Sequence, residues 1–251
     1  MTNRSKKSSL LYAFAPFIAF ISIRTMLSAF NLESVYVRLI SNIAVIVIAG
    51  LYMCIVLQEK KPYTEIKHSF LLKSAVVILT FSLASLFTSN FILLKISDMG
   101  YMSVTGGEHM MLSYCISVFI APFAEEIIFR GYMYYYLRQF GNYKAIIISS
   151  LVFALYHGTV VHIYAATIGG IIFCIIYYKT TKFTYSVLAH MLFNGLTVIY
   201  SLAEIPATAL FTSAWFVIAF NIVLIITVVM ICKTDGCESL TINGIRTYPH
   251  L

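Results

Sequence analysis

Glu125-Glu126-Ile127-Ile128-Phe129-Arg130-Gly131 stands in the middle of an apolar run from Leu112 to Leu137, and its reading decides the fold. A run of that length crosses the hydrocarbon core of a bilayer as one helix. A charged side chain at the centre of such a helix costs about 3 kcal/mol or more, so two carboxylates and an arginine there need a compensating arrangement or a function. Glu126 and Arg130 supply part of the answer. At i and i+4, with the carboxylate N-terminal, they are placed to pair along one helix face. Glu125 is one residue back, rotated about 100° around the helix, and cannot share the arginine in the same way. It is read as a general-base candidate; the plainer reading is a hydrogen bond to a neighbouring helix.

Two further signatures follow, again inside apolar sequence: Phe153-Ala154-Leu155-Tyr156-His157-Gly158 and His190-Met191-Leu192-Phe193-Asn194-Gly195. His190 and Asn194 stand at i and i+4, so both leave one face of a helix. An imidazole beside a carboxamide makes a donor pair suited to a developing oxyanion. The same pair serves equally well in interhelical hydrogen bonds.

The surrounding chain is of a piece with this. Of 251 residues, 60% are hydrophobic and only 11% charged, and the mean hydropathy is +0.88. These values exclude an ordinary soluble domain. The net charge of +7 does not point to nucleic acid, because the basic residues fall in short clusters between apolar runs instead of forming a stripe with aromatics. Eight stretches approach the length of a span: Ser9 to Phe30, Leu39 to Leu57, Leu71 to Leu94, Leu112 to Leu137, Ala145 to Gly158, His162 to Tyr178, Phe183 to Leu202 and Leu210 to Ile231. The fifth is short and its tight connection to the sixth permits a hairpin that does not fully span. The expected fold is therefore an all-α, polytopic transmembrane bundle of about eight helices, in the cell membrane and in contact with lipid.

Basic residues orient the bundle. With the N-terminus cytoplasmic, the inner segments hold Arg4, Lys6, Lys7, Lys60, Lys61, Lys67, Lys73, Arg138, Lys144, Lys179, Lys182, Lys233 and Arg246, against Arg24, Arg38 and Lys95 outside. Both termini are then cytoplasmic. Depths follow from the rise of 1.5 Å per residue. Glu125 lies thirteen residues before Arg138 and His157 thirteen after Lys144, about 20 Å in each case. Asn194 is twelve residues after Lys182 and His190 eight, about 18 and 12 Å. Three segments thus bring Glu125, His157 and Asn194 to one depth, with His190 a turn below.

No Gly-x-Ser-x-Gly elbow is present, which weakens a serine-protease reading, and His-Glu-x-x-His is absent too. A carboxylate and a histidine that polarise water, facing an oxyanion-binding pair, would hydrolyse an amide without a covalent intermediate. The residue types alone also permit zinc on Glu125, His157 and His190. A third reading is a non-proteolytic immunity protein or an ion-coupled transporter that uses the same buried groups.

Glu125-Glu126-x-x-x-Arg130, Phe153-x-x-x-His157 and His190-x-x-x-Asn194, in this order on successive helices, resemble the motifs of the CPBP (CAAX-protease and bacteriocin-processing, or Abi) intramembrane proteases. The resemblance covers roughly Ser113 to Leu202. It implies a metal-independent, glutamate-dependent endopeptidase without a cofactor. Glu125 and His157 would activate water, His190 and Asn194 would bind the oxyanion, and Glu126 with Arg130 would support the site. The implied substrate is a membrane-associated peptide or lipidated protein precursor, of the CAAX, bacteriocin or pheromone kind.

The chain is accordingly divided into N-terminal helices (1–111), a catalytic helical core (112–204) and a last helix with a polar tail (205–251), the tail from Lys233 onward being expected to be mobile. The loops around Glu59 to Ser69 and Lys95 to Met111 are too short for a soluble domain. Arg4, Lys6 and Lys7 begin a retained first helix instead of a cleaved signal, since the apolar run continues past Pro16. Cys54, Cys115, Cys174, Cys232 and Cys237 lack paired spacing and are read as packing residues or inert thiols. Ala165, Ala166, Gly169 and Gly170 form small-xxx-small pairs for close helix approach. Tyr132, Tyr134, Tyr135 and Tyr136 resemble an interfacial aromatic belt, with Tyr132 near enough to the motif to suggest a substrate contact. His109 and His162 are read as solvated or interfacial, and Arg24 as snorkelling.

Overall fold

The computed structural model describes residues 3–30, 32–56, 66–97, 109–202, 213–236, 240–242 and 245–247. Lys60, Lys61, Cys237, the middles of both long loops and the expected 204/205 boundary lie outside the described residues. Among the described residues there are eight helices, as the apolar runs require: α1 Asn3–Ser28, α2 Ser34–Val56, α3 His68–Ser97, α4 Met110–Phe140, α5 Asn142–His157, α6 Val160–Thr180, α7 Phe183–Leu202 and α8 Ala214–Cys232. Seven are long and apolar enough to cross a membrane. The exception is α5, whose 16 residues extend about 24 Å against a core of about 30 Å. The protein is a multi-pass helical membrane protein.

Local sequence explains the helix ends. Gly141, with φ +116°, separates α4 from α5 in a conformation that residues with a Cβ rarely adopt. Gly158, at φ +70°, ends α5, and Thr159 caps α6 by accepting the backbone N–H of His162 at 3.4 Å. The Thr159 hydroxyl is also 2.7 Å from Nδ1 of His162, so this histidine completes a helix cap.

Two compact units divide the chain: Met1–Lys60 with Gly106–Phe153, and Lys61–Thr105 with Ala154–Leu251. In the first, α1 and α2 pack on each other and on α4. Arg38 of α2 donates to Ser113 and Ser117 of α4 at 3.1 and 2.7 Å, and the apolar cluster of Val35, Ile116 and Ala121 closes the same contact. His109 lies 3.1 Å from the Glu33 carboxylate and edge-on to Tyr36, so it is a polar contact between the start of α2 and the start of α4.

In the second unit α3 packs on α6, α7 and, most extensively, α8. Lipid offers no hydrophobic drive between helices, so small residues and polar bonds hold them. A Cβ on Gly169 would meet the Phe81 ring at 3.1 Å, which shows the small-residue stripe of α6 admitting an aromatic from α3. Thr80 and Thr227 meet at 3.0 Å, Asn90 donates to Tyr200 at 3.0 Å, and Asn221 links Tyr164 to Thr88.

The tail departs from the expectation of mobility at its start. Thr234 accepts from Lys73 at 3.0 Å, the Gly236 carbonyl accepts from the Lys67 N–H at 3.2 Å, and Asp235 lies 3.7 Å from the Lys67 ammonium. Further on, Leu240–Ile242 (β1) pairs antiparallel with Ile245–Thr247 (β2). Neither feature has an apolar signature strong enough to be read from sequence.

Candidate active site

The Glu125-Glu126 pair owes its setting to Pro122. Proline has no N–H to give the preceding turn, and the turn just before it is widened, with the Ala121 N–H bonded to the Ile116 carbonyl. Ala121–Glu126 then runs as regular α-helix, and Ile127–Tyr134 is again π-helical. Such turns are rare and gather at functional sites. The expected helical span from Leu112 to Leu137 is present, with these π-helical stretches inside it.

The charged groups are closed off from the exterior. Glu126 and Arg130 are 0% and 1% exposed and Glu125 8%. Oε2 of Glu126 lies 3.1 Å from Nε of Arg130, the ion pair expected from their spacing. The guanidinium also lies 5.1 Å from the centre of the Phe153 ring, within cation–π range. Phe129 fills the space between Phe17 of α1 and Phe153 of α5, at 5.6 and 4.9 Å between ring centres. Ser149 of α5 donates to the Phe129 carbonyl at 2.8 Å, tying α5 to the widened part of α4. Phe153 and Ser149 carry supporting roles that the sequence reading did not assign; a serine inside an apolar run was the available signal.

Tyr132 is a structural anchor. It is buried, its hydroxyl donates to the Ala49 carbonyl of α2 at 2.8 Å, and its ring stacks on Tyr52. Tyr134 is buried as well, so the tyrosine cluster is only in part an interfacial belt. Arg138 continues it by lying over the Tyr135 ring.

In the second unit, His157 is the last residue of α5 and half-buried. His190 of α7 is buried and stacked on Phe173 of α6 at 4.6 Å and 19°. Phe173 is itself held by Ser186, which donates to its carbonyl at 3.1 Å. Phe193, between His190 and Asn194, stacks on Phe81 of α3 at 4.3 Å. These aromatic contacts fix the face of α7 that carries His190 and, one turn on, Asn194. Glu125, Glu126 and Arg130 thus belong to the first unit, and His157, His190 and Asn194 to the second; in each, the i and i+4 pairs stand on a single helix. Among the described residues no group of three His, Cys, Asp or Glu side chains is gathered for a metal ion, so the zinc reading of Glu125, His157 and His190 rests on residue type alone.

Two carboxylates, an arginine and His190 are thus buried in the apolar helices of this multi-pass membrane protein, and ionisable groups in such helices mark candidate functional sites. Residues 107–196 match the family described as type II CAAX prenyl endopeptidase Rce1-like, and that segment contains all six motif residues. Over 91 residues, 36% of this chain and 37% of the relative, the sequence is 31% identical to the "Putative membrane peptidase YdiL" of Bacillus subtilis (strain 168). The match thus spans little more than a third of that relative's length. No solved structure matches. The stretch from α4 into α7, which carries the three motifs, thus resembles that family.

Proposed function

We propose that this protein is an intramembrane endopeptidase of the glutamic type, acting on a membrane-associated peptide or lipidated protein precursor in the cell membrane, with both termini on the lysine-rich, cytoplasmic side. The observation that carries the reading is the burial of Glu125 beside an ion pair that occupies its neighbour Glu126, inside the segment that matches a peptidase family.

In this mechanism Glu125, assisted by His157, takes a proton from water as the water oxygen bonds to the scissile carbonyl carbon. The carbonyl π electrons move to oxygen, and His190 and Asn194 donate to the oxyanion that forms. Collapse of the tetrahedral species breaks the C–N bond, and the proton held by Glu125 passes to the leaving nitrogen. Glu126 and Arg130 neutralise each other, so that Glu126 adds no net charge beside the general base.

The test is cleavage of a panel of membrane-associated precursors by purified protein in detergent, with Glu125→Gln and His157→Ala alongside and a chelator in parallel. Cleavage that requires both residues and survives chelation is expected. Full activity in both variants overturns the assignment, and activity lost to chelation with stoichiometric bound metal replaces it with a zinc hydrolase. Proton-coupled uptake into vesicles by a protein that cuts nothing would favour the transporter reading.

A further inference from the structure

The second unit contains a cavity of about 150 Å³ that plays no part in the mechanism above. Its walls include Phe70, Ala75 and Ile78 of α3, Ile176 of α6, and Tyr185 and Leu188 of α7. On α3 these residues extend over eight positions, about 12 Å along the helix, which keeps the cavity within a single leaflet. Two of its lining residues, Leu188 and Leu192, are 58% and 45% exposed, on a surface that in a membrane protein faces lipid.

Its polar end is rich in lysine. Each wall carries a lysine three residues beyond its last lining residue: Lys67 before Phe70, Lys179 after Ile176, and Lys182 before Tyr185. Three residues are nearly one helical turn, so these lysines stand at the headgroup end of the apolar walls. Lys73 and Lys233 lie at the same end, where Lys73 is bonded to Thr234. Against these five lysines the described residues there supply one carboxylate, Asp235. Its contact with Lys67 is long and solvent-exposed, at 3.7 Å with 60% of the Asp235 side chain exposed, and such a pair leaves most of the local field intact.

We infer that this cavity is a binding site for an anionic phospholipid, with one acyl chain in the groove between α3, α6 and α7 and the headgroup phosphate on Lys67, Lys179 and Lys182. The groove supplies apolar contact along the chain, and the lysine rim selects the charge. This inference does not depend on the protein being a peptidase.

Native mass spectrometry of the full chain tests it, with phosphatidylglycerol and phosphatidylcholine of identical acyl chains offered in detergent. The wild type should retain phosphatidylglycerol preferentially. Lys67→Gln, Lys179→Gln and Lys182→Gln should each reduce that preference about fivefold, while Arg at the same positions preserves it. Ala75→Phe, which fills the groove, and Leu188→Trp, which crowds its exposed side, should weaken retention of both lipids, with thermal midpoints reporting that the variants are folded. Equal retention of the two lipids by the wild type overturns the inference. So does phosphatidylglycerol retention unchanged by either groove variant, which would leave a headgroup-only surface. A neutral long-chain alcohol held as firmly as phosphatidylglycerol would assign the groove to an uncharged apolar chain, and overturn it as well.

Discussion

Arg130 and Glu126 meet at 3.1 Å with both side chains essentially shut away from the exterior. Removing one partner of such a pair leaves a charge without compensation, a loss of about 3–5 kcal/mol. Glu126→Gln and Arg130→Gln should therefore each lower the thermal midpoint sharply in detergent. The double variant should cost less than the sum of the two, and additivity would mean that the pair is not coupled.

Asn194→Ala tests the oxyanion role separately from the general base. Loss of one donor to a developing oxyanion lowers kcat about 10²–10³-fold, with little change in KM and an unchanged thermal midpoint. A fall in stability with kcat intact would make Asn194 an interhelical tie.

Gly131 and Gly236 make opposite predictions for the same substitution. A Cβ on Gly131 would lie 2.6 Å from the Met53 sulfur, the outer part of a flexible side chain that can swing aside. Gly131→Ala should be nearly neutral because helix propensity favours alanine by about 1 kcal/mol. Gly131→Leu should destabilise and be rescued by Met53→Ala. A Cβ on Gly236 would lie 2.2 Å from the Lys179 carbonyl oxygen, and backbone cannot swing aside. Gly236→Ala should then cost about 1–3 kcal/mol, measured by thermal unfolding; no effect would mean that the tail does not dock there.

Asn221 joins α8 to both α3 and α6. Asn221→Leu should cost about 1–2 kcal/mol, the range for interhelical hydrogen bonds in membranes. Thr227→Val, which removes one bond of this kind to Thr80, should cost less.

Hydropathy and charge spacing reveal much of this. Apolar runs located the eight helices, since the cost of exposing backbone in lipid makes a long apolar segment helical. The Glu126–Arg130 bond followed from its i, i+4 spacing. What stayed hidden depends on single backbone bonds. The widened turn before Pro122 goes with one missing N–H, and the anchoring of Tyr132 depends on which α2 carbonyl comes within reach. The docking of Gly236 on the end of α6 depends on a close approach that a composition of polar residues conceals. For the same reason the anchored and lipid-facing members of the tyrosine run could not be told apart.

The brevity of α5 has one last effect. Its 16 residues reach about 6 Å less than the hydrocarbon is thick, and the chain then turns through Gly158 and Thr159. The final carbonyls of a helix need partners, and the Thr159 N–H serves only that of His157, at 2.9 Å. A helix shorter than the hydrocarbon is thick favours local thinning of the bilayer, and thinning at this turn would bring water to the residue for which the proposed mechanism has a use, His157.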